Sequence, residues 1–164
     1  MIRLSRVVIV VAPALIAACA TVPEPAPVAA VPVARLPESA LATRVLDRDA
    51  AARLIANKGV TLQWLGWNQR GTANVRWEGD RLLLTAAQAK TGGGRLFLDG
   101  TVEEVGAKHF TFRGTIRIED TPDDGRRCEQ TKSWHFAVTQ NRPYWRLREF
   151  EWCDGLTDYV DFYF

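Results

Sequence analysis

Residues 110–119 read Phe110-Thr111-Phe112-Arg113-Gly114-Thr115-Ile116-Arg117-Ile118-Glu119, with every even position apolar or glycine and every odd position polar or charged. A period of two puts the even set on one face of a strand and the odd set on the other, so one face is buried and the other wet. Turn signals cut the rest of the chain after Gly59 into about eight such strands, at 60–67, 72–78, 81–88, 95–105, 109–119, 130–139, 144–152 and 157–164. The breaks fall at 68–71, Gly79-Asp80, Gly92-Gly93-Gly94, Gly106-Ala107, 121–125, 140–142 and Asp154-Gly155. Short connections imply antiparallel neighbours and hence a meander. Eight strands of this kind either close into an up-and-down barrel, which removes exposed edges, or split into a sandwich; closure is the expected outcome.

Upstream, residues 43–59 carry a helical pattern. Thr43 is the candidate cap, Asp47 and Asp49 sit early, Ala51, Leu54 and Ile55 share a face, and Asn57-Lys58-Gly59 offers a stop. The expected fold is therefore mainly β, with one short N-terminal helix before the barrel. The outline looks like the calycin barrels of lipocalins and avidins in strand count and order. It carries no signature of either, so the resemblance implies no ligand.

One hairpin register is testable on paper. A turn at Gln140-Asn141 would set Phe136 opposite Trp145, Trp134 opposite Leu147, Lys132 opposite Glu149 and Cys128 opposite Cys153. Both cysteines then share a face with the aromatics, and a disulfide across or just beyond the hairpin is expected. Closing a loop of that size contributes roughly 3 to 4 kcal/mol in the chain-entropy model. The apolar positions change parity between Leu147 and Phe150, so a bulge near Arg148-Glu149 would disturb the far end. The last residues, 158–164, are strongly β-patterned. In a closed barrel they would zip against the first strand, and otherwise they would dock on a partner.

The N-terminus supplies an address. Arg3 and Arg6 precede an apolar run over residues 7–17 that is shorter than the roughly 20 residues of a membrane span and is broken by Pro13. Ile16-Ala17-Ala18-Cys19 resembles the lipobox of bacterial lipoproteins. That resemblance implies a leader cut after residue 18, acyl chains on Cys19 as the membrane anchor, and, with no aspartate at Ala20, an outer-membrane protein facing the periplasm. A plain secretory cut after Ala20 is the alternative. Residues 19–37 follow as a lipid-anchored Ala/Pro-rich linker, able to hold the domain roughly 50 Å from the anchor at about 3.1 Å per residue. Residues 38–164 form the single β domain. The whole chain carries 21 basic and 19 acidic residues, and loss of Arg3 and Arg6 brings the two into balance. A neutral domain gives no electrostatic footprint for nucleic acid.

Six tryptophans in so small a chain invite two readings. Trp64, Trp67, Trp77, Tyr144, Trp145 and Arg146 are candidate ligand-binding residues, because aromatics beside arginines form stacking platforms for sugars. Large rings also fill the interior of small barrels, which is the favoured account, with Trp67 and Tyr144 nearest to exposure. Catalytic signals are thin: His109 and His135 are the only histidines, and neither stands in a nucleophile motif. The carboxylates at 119–125 and at Asp154, Asp158 and Asp161 follow no spaced oxygen-ligand loop and read as solvated turns, with calcium as the alternative. No metal or other cofactor is expected. Three functions stay open: a non-enzymatic envelope module that binds a small apolar ligand, a glycan or a protein partner; a structural or assembly accessory with a filled barrel; and an envelope hydrolase without identified catalytic residues.

Overall fold

A computed structural model describes residues 42–164; the leader, Cys19 and the 19–37 linker lie outside the described residues. The elements in chain order are β1 (Arg44–Val45), α1 (Arg48–Ile55), β2 (Val60–Leu62), a 3-10 turn at Gln63–Leu65, β3 (Thr72–Glu78), β4 (Arg81–Lys90), β5 (Gly93–Gly106), β6 (His109–Glu119), β7 (Arg127–Ala137), β8 (Tyr144–Leu147) and β9 (Val160–Tyr163). Eight strands pair antiparallel in the order β2-β9-β8-β7-β6-β5-β4-β3. Val60 and Gly71 then exchange backbone hydrogen bonds of 2.8 and 3.2 Å, which brings the two ends of the sheet together. The result is a nearly closed barrel, and the sandwich is excluded. Among the described residues no helix is long and apolar enough to cross a membrane.

The alternation in β6 works as written: Phe110, Phe112, Gly114, Ile116 and Ile118 are all buried. Gly114 lies opposite Gly100 on β5, and a Cβ at either position would strike the facing backbone and the Phe112 ring. That close approach also lets the Trp134 indole on β7 donate to the Gly114 carbonyl at 2.9 Å. Phe110 stacks on Phe136 at 4.6 Å between centroids, with Trp145 and Phe162 edge-on to it at 5.6 Å. Burying one large ring contributes about 3 kcal/mol. Six such rings leave the interior occupied by side chains.

The helix starts later than expected. Asp47 is its cap, its carboxylate accepting from the Ala50 amide at 2.7 Å. Thr43 instead ties the chain to the barrel, its hydroxyl donating to the Val102 carbonyl at 2.6 Å and accepting from the Leu82 amide at 2.8 Å. Between them the two residues of β1 run parallel to β5, a strand too short for any periodic signal. Ala50, Ala51 and Leu54 face the core, whereas Ile55 is exposed.

The hairpin between β7 and β8 turns where the sequence indicates, with Gln140 and Asn141 both in the left-handed region and the Arg142 amide donating to the Thr139 carbonyl at 3.1 Å. Its register is two residues away from the expected one. Phe136 faces Leu147 and Ala137 faces Arg146, because Arg142 and Pro143 prolong the loop and proline has no N–H for a ladder. A slip of two preserves parity, so Trp145 and Leu147 still point inward. The expected pairs Phe136 with Trp145, Trp134 with Leu147 and Lys132 with Glu149 do not form. β8 also ends at Leu147, where the parity changes, and the Glu149 carboxylate accepts the His135 amide at 3.0 Å. Cys128 and Cys153 are bonded, with 6.0 Å between their Cα atoms, joining the start of β7 to the loop after β8. At the seam, β9 zips against β2, with Val60 opposite Phe162 and Leu62 opposite Val160.

Candidate functional site

The inside of β8 and β9 is core, and the outside is an arginine-aromatic surface. On β8 the period of two sends Trp145 and Leu147 inward and Tyr144 and Arg146 outward. On β9 Phe162 points inward, and Asp161 lies outward yet fully buried beneath its neighbours. Arg146 holds Asp161 through two bonds, Nε to Oδ1 at 2.7 Å and Nη2 to Oδ2 at 2.8 Å. The same guanidinium lies 4.1 Å from the Tyr159 ring centre, 5.3 Å from Tyr144 and 5.5 Å from Trp67. Arg70 covers Tyr163 at 4.0 Å, and Tyr163 meets Tyr144 at 5.3 Å, so cation and ring contacts run without a break across the face. Burial pushes the Asp161 carboxyl above its ordinary range against the pull of Arg146, and the bonds to Asp161 hold the Arg146 guanidinium charged. A fixed, flat cation beside the exposed Trp67 and the half-buried tyrosine rings can stack on a sugar or another planar group and donate hydrogen bonds to it.

Of the sequence candidates, Trp67, Tyr144 and Arg146 therefore meet on one face, with Trp67 42% exposed. The others do not join them. Trp145 is wholly inside the barrel, and Trp77 is 46% exposed near the end of β3, beside the turn into β4. Trp64 is half-buried, its indole N–H donating to the Asp158 carboxylate at 2.9 Å. Tyr159, Asp161, Tyr163 and Arg70 were not among the ligand-binding candidates; the shared parity of 159, 161 and 163 is the signal that groups the first three, while Arg70 reaches the face from the loop before β3.

A second polar cluster is structural. Arg126 makes paired bonds of 2.8 and 2.9 Å to Asp154, a further pair of 3.0 and 2.9 Å to the fully buried Asp158, and one of 3.0 Å to the Thr121 carbonyl. These bonds draw the Asp154 carboxyl below its ordinary range and raise the guanidinium still further. Asp158 and Asp161 are thus buried partners of arginines, which corrects the reading of both as solvated turn residues. Their oxygens are already taken up by guanidinium groups rather than free for calcium. Asp123 and Asp124 do lie exposed in a turn. Asp154 also sits beside both cysteine sulfurs, but these are bonded to each other and offer no thiolate.

The histidines lie on the outer surface. His109 Nε2 is 3.0 Å from Glu104, which draws that carboxyl down, and its ring is 5.6 Å from His135. Glu104 also binds Arg44 and lines an outer cleft of about 680 Å³ with Arg81, Thr111 and Arg113. Such a couple can orient an imidazole. Among the described residues no hydroxyl or thiol hydrogen-bonds either histidine, and the nearby Ser133 hydroxyl accepts from Arg113 at 3.4 Å.

Fold and surface together define a small antiparallel barrel with a filled interior and an arginine-aromatic outer face. The chain belongs to the PM1083 family, which it matches over residues 42–164. It is similar to the "Uncharacterized protein PM1083" of Pasteurella multocida (strain Pm70), with 30% identity over 114 residues, covering 68% of this chain and 74% of that relative. No solved structure matches.

Proposed function

We propose that the chain is a non-catalytic module of the bacterial envelope, anchored in the outer membrane through acyl chains on Cys19, that binds glycan on the outer face of β8 and β9. The observation that carries this reading is the contiguous set Trp67, Tyr144, Arg146, Tyr159 and Tyr163, set outside a barrel whose interior is already filled by side chains. An internal apolar ligand would have to displace Trp145 or the stacked Phe110 and Phe136. The lipobox and the proline-rich linker support the address and give the domain its reach. Full-length protein in mild detergent should co-sediment with purified peptidoglycan, and Trp67→Ala should weaken retention about tenfold. Equal retention of both proteins, or none of either, would refute the reading. Intact mass of the membrane-purified chain should show a diacylglyceryl adduct starting at Cys19.

A further inference from the structure

We infer that an open cleft at the end of this face is a phosphate site, and that its ligand is a phosphorylated sugar. The inference rests on the outer-face reading and adds the chemical class of the ligand. The cleft measures about 450 Å³ and is lined by Thr139, Arg142, Arg146, Arg148, Phe150 and Tyr159. Three arginines meet there: Arg146 on the outward face of β8, Arg142 from the turn before it and Arg148 from the bend after it. No carboxylate lines it. Asp161 is bonded to Arg146 and is felt at longer range by Arg142, but neither Arg142 nor Arg148 has a carboxylate within 4.0 Å among the described residues. Arg44, Arg81, Arg95, Arg117, Arg126 and Arg127 have acidic partners, and although Arg113 has none among the described residues, the other cleft with three arginines, Arg44, Arg81 and Arg113, is also lined by Glu103 and Glu104. Two arginines with no carboxylate in bonding range therefore line one cleft in a domain of balanced charge.

A dianionic phosphate matches that pair and takes bidentate bonds from planar guanidinium forks. The Arg142 guanidinium is already placed, donating to the Tyr144 hydroxyl at 2.8 Å. The cleft wall adds apolar area: the Phe150 and Tyr159 rings meet at 5.3 Å, beside the Arg146 guanidinium. That volume falls within the roughly 300 to 1,000 Å³ of small-ligand pockets, and rings beside a phosphate suit a sugar phosphate better than a bare ion.

Calorimetry on the full-length chain in non-ionic detergent tests this with four soluble probes: glucose 1-phosphate, glycerol 3-phosphate as a lipid headgroup, inorganic phosphate and glucose. Glucose 1-phosphate should bind saturably, about tenfold tighter than glycerol 3-phosphate or inorganic phosphate, and glucose should give no signal. Arg142→Ala with Arg148→Ala should weaken binding by about tenfold or more. Arg148→Ala alone, which removes a guanidinium with no side-chain hydrogen bond among the described residues, serves if the double variant fails to fold. Absence of saturable binding, equal affinity for glycerol 3-phosphate, or binding indifferent to both variants would overturn the inference. Peptidoglycan retention through Trp67 with no sugar-phosphate binding would sink this inference and spare the wider reading, and the converse would do the opposite.

Discussion

The ribbon formed by β4 to β7 and the seam formed by β8, β9 and β2 belong to one sheet but are held by different forces. Ribbon strands are 10 to 14 residues long and pair over nearly their whole length, so backbone ladders and alternating inward side chains suffice. Seam strands have only three or four residues each. Their ladders are short, and side chains supply what is missing: the Arg126 clamp on Asp154 and Asp158, the Cys128–Cys153 bond, and Arg146 on Asp161. The contrast explains why the distinctive surface lies at the seam. Groups recruited to hold a short strand in place leave rings and guanidiniums fixed on its outer side.

The comparison is broken most severely by removing residues 160–164. Without β9 the barrel loses both its closure and Phe162, and no cooperative unfolding should be detectable by circular dichroism. Next, Arg126→Ala leaves Asp158 buried without its cation and should cost about 3 to 5 kcal/mol in urea unfolding. Replacing Cys128 and Cys153 together by serine should cost roughly 2 to 4 kcal/mol, with intact mass under non-reducing conditions reporting the bond in the native chain. Two tryptophans then sharpen the contrast. Trp134 in the ribbon donates to Gly114, whereas the Trp145 indole N–H at the seam is buried without a partner among the described residues. Trp134→Phe should thus cost about 1 kcal/mol more than Trp145→Phe, read from the same unfolding curves. The smallest effect is on acid stability. The Asp154 carboxyl is held below its ordinary value, so its contribution is present above the ordinary carboxylate range and lost as pH falls through the lowered value. Asp161 is raised, so its cost is present above the raised value and relieved on acidification, opposing the first trend. Melting temperatures between pH 7 and pH 3 should fall less steeply in Arg126→Ala than in the native chain.

Legibility in the sequence follows the same division. β3 and β6 were readable to the residue, because each is an uninterrupted strand between clear turns. The pairing of β9 with β2 also followed, from closure, and so did the disulfide, although the ladder expected to set Cys128 opposite Cys153 stops at Leu147. Residues 60–67 and 144–152 looked like longer strands because aromatic and aliphatic residues continue past Leu62 and Leu147. The chain instead leaves the sheet there, into the 3-10 turn at Gln63–Leu65 and the turn after Leu147. No local pattern reveals that Arg126 will meet Asp158, 32 positions away, or that a two-residue β1 will pair with β5. At the site, proximity in sequence was misleading. Trp145 lies between Tyr144 and Arg146 in the chain yet on the other side of the sheet, and strict alternation would have separated them.

The central claim is that the barrel closes through a seam clamped by side chains, which in turn fixes its outer face. Hydrogen exchange of the oxidised chain, followed by mass spectrometry, tests it most directly. The account predicts that amides of Val60, Leu62, Val160 and Phe162 are protected in the native chain and lose protection selectively in Arg126→Ala, while β5 and β6 keep theirs. Rapid exchange along β2 and β9 in the native chain, or uniform loss of protection in the variant, would contradict it.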